Sequence, residues 1–272
     1  MNRLAPFLSE TDFLDHYFAL QYRVSFDAII PLQDAVFGYS RHDTSPYWNH
    51  IYLPKPTLTP DTLIGYETTC QDRDRLPAFY IVHNDKFSKC ITILTKAGYT
   101  PYSEDAWMTY APEKTVFPSV KFAFNQVRTV EELDQFVELM DQCYPDNDPQ
   151  NPYGNLGTYL DMTRQAWLQK STEEELTYYT IMHIEKNKLC GVGAVILKEQ
   201  MGYLCNVGTL PEERGQGVGK AAIHEGLRLI KKAGLTLACL ATEHHQHPFK
   251  VYTHMGFETV FTAQIWAKSL PH

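Results

Sequence analysis

The chain has 272 residues, 44% of them apolar and 13% aromatic, enough to bury a core and to exclude a disordered polymer. Lys and Arg number 24 against 32 Asp and Glu, a net charge of −8. That balance argues against any nucleic-acid partner held through its phosphates, and it tolerates a cationic small substrate. The six cysteines include no C-x-x-C pair, and Cys190, Cys205 and Cys239 lie in apolar runs where a reduced thiol packs as a small hydrophobe. The start, Met1 to Glu10, lacks the apolar stretch of a signal peptide, and the run Leu189–Leu197 falls far short of the ~20 residues that span a bilayer. The expectation is a reduced, cytoplasmic protein without a membrane partner.

In chain order, the N-terminal half carries no glycine-rich loop. Its aromatic stretch Tyr39–Tyr52, with His42 and His50, reads as core or as a pocket wall. Thr95-Lys-Ala-Gly-Tyr99 followed by Trp107 echoes Thr253-His-Met-Gly-Phe257 followed by Trp266. In both, a short helix would end at glycine and lead into a strand bearing Trp, either as a repeat or as a common packing device. Prolines 112 and 118 mark a boundary at 111–119. The expected domains are therefore an α/β unit at 1–115, a degenerate copy of the second if the echo is a repeat, and a unit at 120–272.

Beyond the boundary, Val120–Val127 reads as a strand. Thr129 then opens an amphipathic helix bearing Leu133, Phe136, Val137 and Met140. Asp141–Gly157 is a loop by composition, and Thr158–Lys170 a helix. Strands follow at Leu176–Glu185, Leu189–Lys198 and Gly202–Leu210, joined by turns short enough for antiparallel hairpins. A helix covers Gly217–Lys232 and ends at Gly234. A strand at Leu235–Thr242, a helix at Pro248–Met255 and a strand region at Phe257–Ala267 complete the order β-α-α-β-β-β-α-β-α-β. The fold class is mixed α/β (α+β), with a mostly antiparallel sheet flanked by helices.

The informative stretch is Leu210-Pro-Glu-Glu-Arg-Gly-Gln-Gly-Val-Gly-Lys220, which joins a strand to a helix. Its alternating glycines let backbone N–H groups approach an anion, and the helix end adds about half a positive charge. A nucleotide-binding loop of the Walker type fails, because Arg214 and Ala221 stand where glycine and Ser or Thr are needed. A dinucleotide loop finds G-x-G-x-x-A in Gly217–Ala222, with Glu243 beyond, but Pro211–Gln216 separates the glycines from the strand.

Arg214-Gly-Gln-Gly217-Val-Gly219 resembles the pyrophosphate loop of the GNAT superfamily of N-acetyltransferases, and Tyr252-Thr-His-Met-Gly256-Phe257 resembles that family's later Tyr and Gly-Phe motif. The resemblance implies a GNAT-like acyl-CoA N-acyltransferase fold. Its co-substrate would be acetyl-CoA or another acyl-CoA, with no metal. The backbones of Arg214, Gly215, Gln216, Gly217, Val218, Gly219 and Lys220 would hold the diphosphate, while those of Val207 and Thr209 pair with the pantetheine arm. Tyr252 would protonate the leaving thiolate. Where the family often has Asn, this chain has His245, which leaves that cofactor contact open.

The implied reaction is transfer of acetyl to a primary amine, on a small molecule or a protein, by direct attack in a ternary complex. A non-catalytic acyl-CoA-binding module is the alternative, and an NAD(P)-binding oxidoreductase the third reading. Asp141, Asp146 and Asp148 are expected to attract a cationic amine. No base is assigned; Glu199, His183 and Asp148 are the nearest suggestions. His244-His245-Gln-His247 fits no zinc pattern, and Asp146-Asn-Asp148 lacks the glycine and glutamate of a calcium loop. Monomer and homodimer both remain open.

Overall fold

The computed structural model describes residues 4–114, 121–151, 153–170 and 175–268. The end of the proline-rich boundary, residues 115–119, and Val120 lie outside the described residues. The chain forms two compact units. One comprises Met1–Trp107, Ala241–His245 and Thr259–His272; the other comprises Met108–Leu240 and Gln246–Glu258. The division expected from sequence keeps the last strand with the C-terminal half, whereas the compact units place it with the N-terminal half.

The first unit runs α1 (Glu10–Gln21), β1 (Ala28–Leu32), β2 (Ala35–Tyr39), β3 (Asn49–Tyr52), α2 (Pro60–Gln71), β4 (Ala78–Val82), α3 (Ser88–Lys96) and β5 (Tyr99–Tyr110). β1, β2 and β3 pair antiparallel, and β4 joins β3 in parallel after α2 crosses over. The last strand of the chain, β11 (Glu258–Lys268), pairs antiparallel with β4, Ile265 opposite Tyr80. Phe13, Phe37, Phe79 and Trp107 are fully buried in this unit.

The second unit runs β6 (Phe122–Gln126), α4 (Val130–Cys143), α5 (Thr158–Lys170), β7 (Leu176–His183), β8 (Lys188–Lys198), β9 (Met201–Thr209), α6 (Val218–Lys232), β10 (Ala238–Glu243, of which Ala241–Glu243 count with the first unit) and α7 (His247–His254). Its strands lie in the order β10-β9-β8-β7-β6. All neighbours are antiparallel except β9 and β10, which α6 connects as a parallel crossover. The element order and types match the sequence reading, with ends moved by up to three residues.

Local chemistry accounts for these elements. Thr129 and Glu132 form a reciprocal capping box at the start of α4 and satisfy two N–H groups that the helix itself leaves open. Strand alternation sends neighbouring β7 tyrosines to opposite faces. Tyr178 stacks on Phe136 of α4 at 4.6 Å, while the Tyr179 hydroxyl donates to the Ala222 carbonyl of α6 at 2.8 Å. A sheet covered on both faces follows, which is why β7 is buried along nearly its whole length. Helix α6 approaches closely because Gly202 and Gly226 have no side chain. A Cβ on Gly202 would lie 2.3 Å from Ile230, and one on Gly226 2.1 Å from Leu204.

Candidate functional site

After β9 the chain makes a short 3-10 turn at Pro211–Glu213 and enters the glycine loop. Gly215 and Gly217 have φ of +74° and +91°, a left-handed backbone that side chains disfavour, and open space surrounds both. Gly217 is the N-cap of α6, and no side chain caps the helix there. The N–H groups of its first turn are therefore left without a side-chain cap, at the positive end of a helix of 15 residues. This is where the sequence places Arg214 to Lys220, and the structure brings those residues together in one turn.

The outer side of the loop is braced by residues that sequence reasoning did not single out. Lys186 Nζ donates to Glu213 Oε2 at 2.7 Å and to Gln216 Oε1 at 2.9 Å, and Gln216 Nε2 donates to the same Glu213 oxygen at 2.9 Å. Lys188 adds a contact to Glu212 at 2.9 Å. The Lys186 ammonium beside Glu213 holds its carboxyl below the usual carboxylate range. The Gln216 side chain is thus engaged in holding the loop's shape, which leaves its backbone for a ligand. The paired lysines of the Lys186-Asn-Lys188 turn were the available signal, but their partners lie more than twenty residues away in sequence.

Arg214 points to the other side. Its Nη2 lies 2.5 Å from Asp148 Oδ2 and donates to the Cys143 carbonyl at 3.3 Å. The hydrogen bond from Arg214 holds the Asp148 carboxyl below its ordinary range. Asp148 is thus engaged with the glycine loop. Asp146 is exposed and accepts from Asn155 Nδ2 at 3.4 Å, and Asp141 is exposed at the end of α4.

The second feature is a break in the strand pairing. Val192 opposes Gly208, but Ala194 opposes Cys205, so β9 carries one residue more than β8 across this step. The extra residue is absorbed at Asn206, whose φ is +52°. Two tyrosines hold the bulge: Tyr159 donates to Asn206 Oδ1 at 2.6 Å, and Tyr144 donates to the Val207 carbonyl at 2.7 Å. Gly208 makes room for this. A Cβ there would lie 2.8 Å from Cys143 Cβ and 3.1 Å from the Tyr144 ring. β9 is in register with β10 at Gly202 and Tyr203, near its start, and Leu204–Thr209 follows without a parallel partner in register. Val207 and Thr209 lie on this segment, and the Thr209 hydroxyl is 3.4 Å from the Cβ position of Gly219, which ties strand end to glycine loop.

Tyr252 sits midway along α7, half-buried, and contacts Phe257 at 5.8 Å between ring centroids. Burial and then the nearby Cys205 push its phenol upward, so it stays protonated at neutral pH. Burial pushes the Tyr144 phenol upward as well, and its ring lies 6.1 Å from that of Tyr153. Burial pushes the Cys205 thiol up to about 12. His245 (φ +66°) belongs to the first unit and stacks on His244 at 3.7 Å. Of the suggested bases, Glu199 occupies the β8–β9 turn and His183 the end of β7. At ~3.3 Å per residue these lie roughly 20 Å and 13 Å along the strands from the bulge.

Among the described residues no group of His, Cys, Asp and Glu is arranged to hold a metal ion, and no helix is long and apolar enough to cross a membrane. Comparison with curated protein sequences gives no match. Among solved structures, a GCN5-related N-acetyltransferase from Kribbella flavida is similar at 17% identity and a TM-score of 0.68, covering 95% of this chain and 96% of its own. A GCN5-related N-acetyltransferase from Sphaerobacter thermophilus is similar at 14% identity, with a TM-score of 0.61 over 87% of this chain and 80% of its own. A tandem GNAT protein from the clavulanic acid biosynthesis pathway follows at 12% and 0.58, over 88% and 79%. These likenesses establish the fold, and they run through the N-terminal half as well. The sequence model described as the acetyltransferase (GNAT) family matches residues 133–257. That span holds the glycine loop, the bulged strand and Tyr252, and with them this chain carries a domain of the GNAT acetyltransferase family.

Proposed function

We propose that the protein transfers an acetyl group from acetyl-CoA to a primary amine, by direct attack in a ternary complex. The observation that carries this reading is the open N-terminus of α6 behind Gly215 and Gly217, set at the end of a bulged strand. The diphosphate would lie on the backbone of Arg214–Lys220, and the pantetheine arm along Val207–Thr209. The amine nitrogen attacks the thioester carbonyl carbon, and backbone N–H near Val207 stabilises the oxyanion. The C–S bond then breaks, Tyr252 gives its proton to the departing sulfur, and the amine's proton leaves to water. The un-ionised Cys205 thiol supports direct attack over a covalent relay, because the thiolate is the nucleophilic form. The first unit, in this reading, is a degenerate companion copy.

Thermal stabilisation by acetyl-CoA, set beside free CoA and NAD, tests the ligand. At ~100 times its Kd a ligand adds about 2.7 kcal/mol. Thiol release on adding amines then tests the reaction, and Tyr252→Phe is expected to lower kcat by about 100-fold or more with acetyl-CoA affinity unchanged. Stabilisation without thiol release from any amine would make the domain an acyl-CoA-binding module. Stabilisation by NAD alone would end the proposal.

A further inference from the structure

The acyl-transfer reading leaves the acceptor unnamed, and the 144–157 loop bears on it. Asn151 stitches this loop together, its Nδ2 donating to the carbonyls of Tyr144, Pro145 and Gly154 at 3.1, 3.2 and 2.8 Å, and its Oδ1 accepting from the Tyr153 N–H at 3.0 Å. The result is a fixed edge-to-face pair, the Tyr144 and Tyr153 rings 6.1 Å apart and inclined at 62°. Tyr144 lies against Gly208 beside the bulge, and Tyr159 reaches the bulge from α5. Both of these hydroxyls are spent on β9, on the Val207 carbonyl and on Asn206. The rings of Tyr144 and Tyr159 thereby lie beside the strand. Tyr153, with 45% of its surface exposed, is the outermost of the three. The carboxylate of the same loop that reaches toward the site, Asp148, is engaged by Arg214.

From this we infer that Tyr144, Tyr153 and Tyr159 form the wall that receives the acceptor, and that the acceptor is a primary amine carried on an aromatic ring. Ring surface favours a flat aromatic partner in edge-to-face or offset contact beyond what apolar area alone supplies. The inference rests on the acyl-transfer reading, and its test is chosen to separate the two.

The full chain is assayed for CoA thiol release from acetyl-CoA with 2-phenylethylamine and, in parallel, with butylamine and a polyamine such as spermidine. The expected result is a kcat/KM for the aryl amine about five to tenfold above the others, the scale of an aromatic pair. Tyr153→Leu should erase that preference by raising KM for the aryl amine alone. Tyr153→Phe should keep it, and acetyl-CoA affinity should be unchanged in both. Equal kcat/KM across the amines, a polyamine preference, turnover of none, or a Tyr153→Leu loss shared by all would overturn the inference. If acetyl-CoA still stabilises the protein and thiol is released, the acyl-transfer reading survives that outcome. Absence of acetyl-CoA stabilisation removes both.

Discussion

In the first unit β3 leaves the sheet, α2 crosses over and β4 returns in parallel; in the second, β9, α6 and β10 make the same passage. The two crossover helices differ at their first turn. Thr59 caps α2 with its side chain on the Thr62 N–H at 3.2 Å, Thr62 returns the bond to the Thr59 N–H at 2.9 Å, and Pro60 at the first position has no N–H to offer. The loop before it carries Pro54 and Pro56 and no glycine. At α6, Gly217 stands where Thr59 stands, and no side chain closes the helix. The preceding strands differ as well: β2 and β3 pair in regular register, while β8 and β9 are bulged at Asn206. One connection thus closes its helix end with side chains of its own, and the other leaves that end without a side-chain cap, the arrangement in which a helix N-terminus can receive an anion.

Three substitutions break or sharpen this comparison, taken from the largest expected effect to the smallest. Gly217→Val places a β-branched residue at φ +91° and fills the open helix end. A loss of acetyl-CoA affinity of about 100-fold is expected, on the order of the 2.7 kcal/mol that tenfold per 1.4 kcal/mol implies. Titration calorimetry on the folded variant measures it, and retained affinity would mean that the helix end is not what separates the units. Thr59→Ala removes the corresponding cap of α2. The expected cost is about 1 kcal/mol of stability, read from the urea midpoint, with acetyl-CoA affinity unchanged. A fall in affinity would assign the first unit a part in cofactor binding.

The smallest effect belongs to Asp148→Asn, which releases Arg214. The folded carboxyl lies below its ordinary range, so its contribution is complete above the unfolded value of about 3.9 and fades as pH falls through the folded value. The variant should be less stable at pH 7 by about 1 kcal/mol or less. The difference should close in acid, as read from paired melting curves between pH 7 and pH 2.5. A constant difference across that range would detach the ion pair from the effect.

Much of the second unit was legible because its signals are local. Thr129 and Glu132 are three residues apart, the strands are separated by short turns, and the glycine loop is one continuous stretch whose chemistry follows from residue type. The helix-glycine-strand echo was legible too: α3 and α7 end at Gly98 and Gly256, both left-handed, and lead to the strands bearing Trp107 and Trp266. The bulge was not, because register is a property of two strands and nothing in β9 alone shows that Asn206 is the extra residue. Tyr144 and Tyr159 were passed over for the same reason, since their partners lie 63 and 47 residues away.

What the sequence determined by itself was the order of elements beyond residue 120, the run of alternating glycines at the start of α6, and the place of Tyr252 four residues before Gly256. These follow from backbone sterics and spacing, which act within a few residues. What the tertiary structure decided was how the free groups are spent: Asp148 on Arg214 rather than on solvent, Gln216 on the Lys186–Glu213 brace, and the Tyr144 and Tyr159 hydroxyls on a bulged strand. It also decided that the last strand, β11, lies beside β4 in the first unit. Such choices depend on which polar groups and strand edges folding brings within hydrogen-bonding distance, and a chain read one residue at a time does not carry those distances.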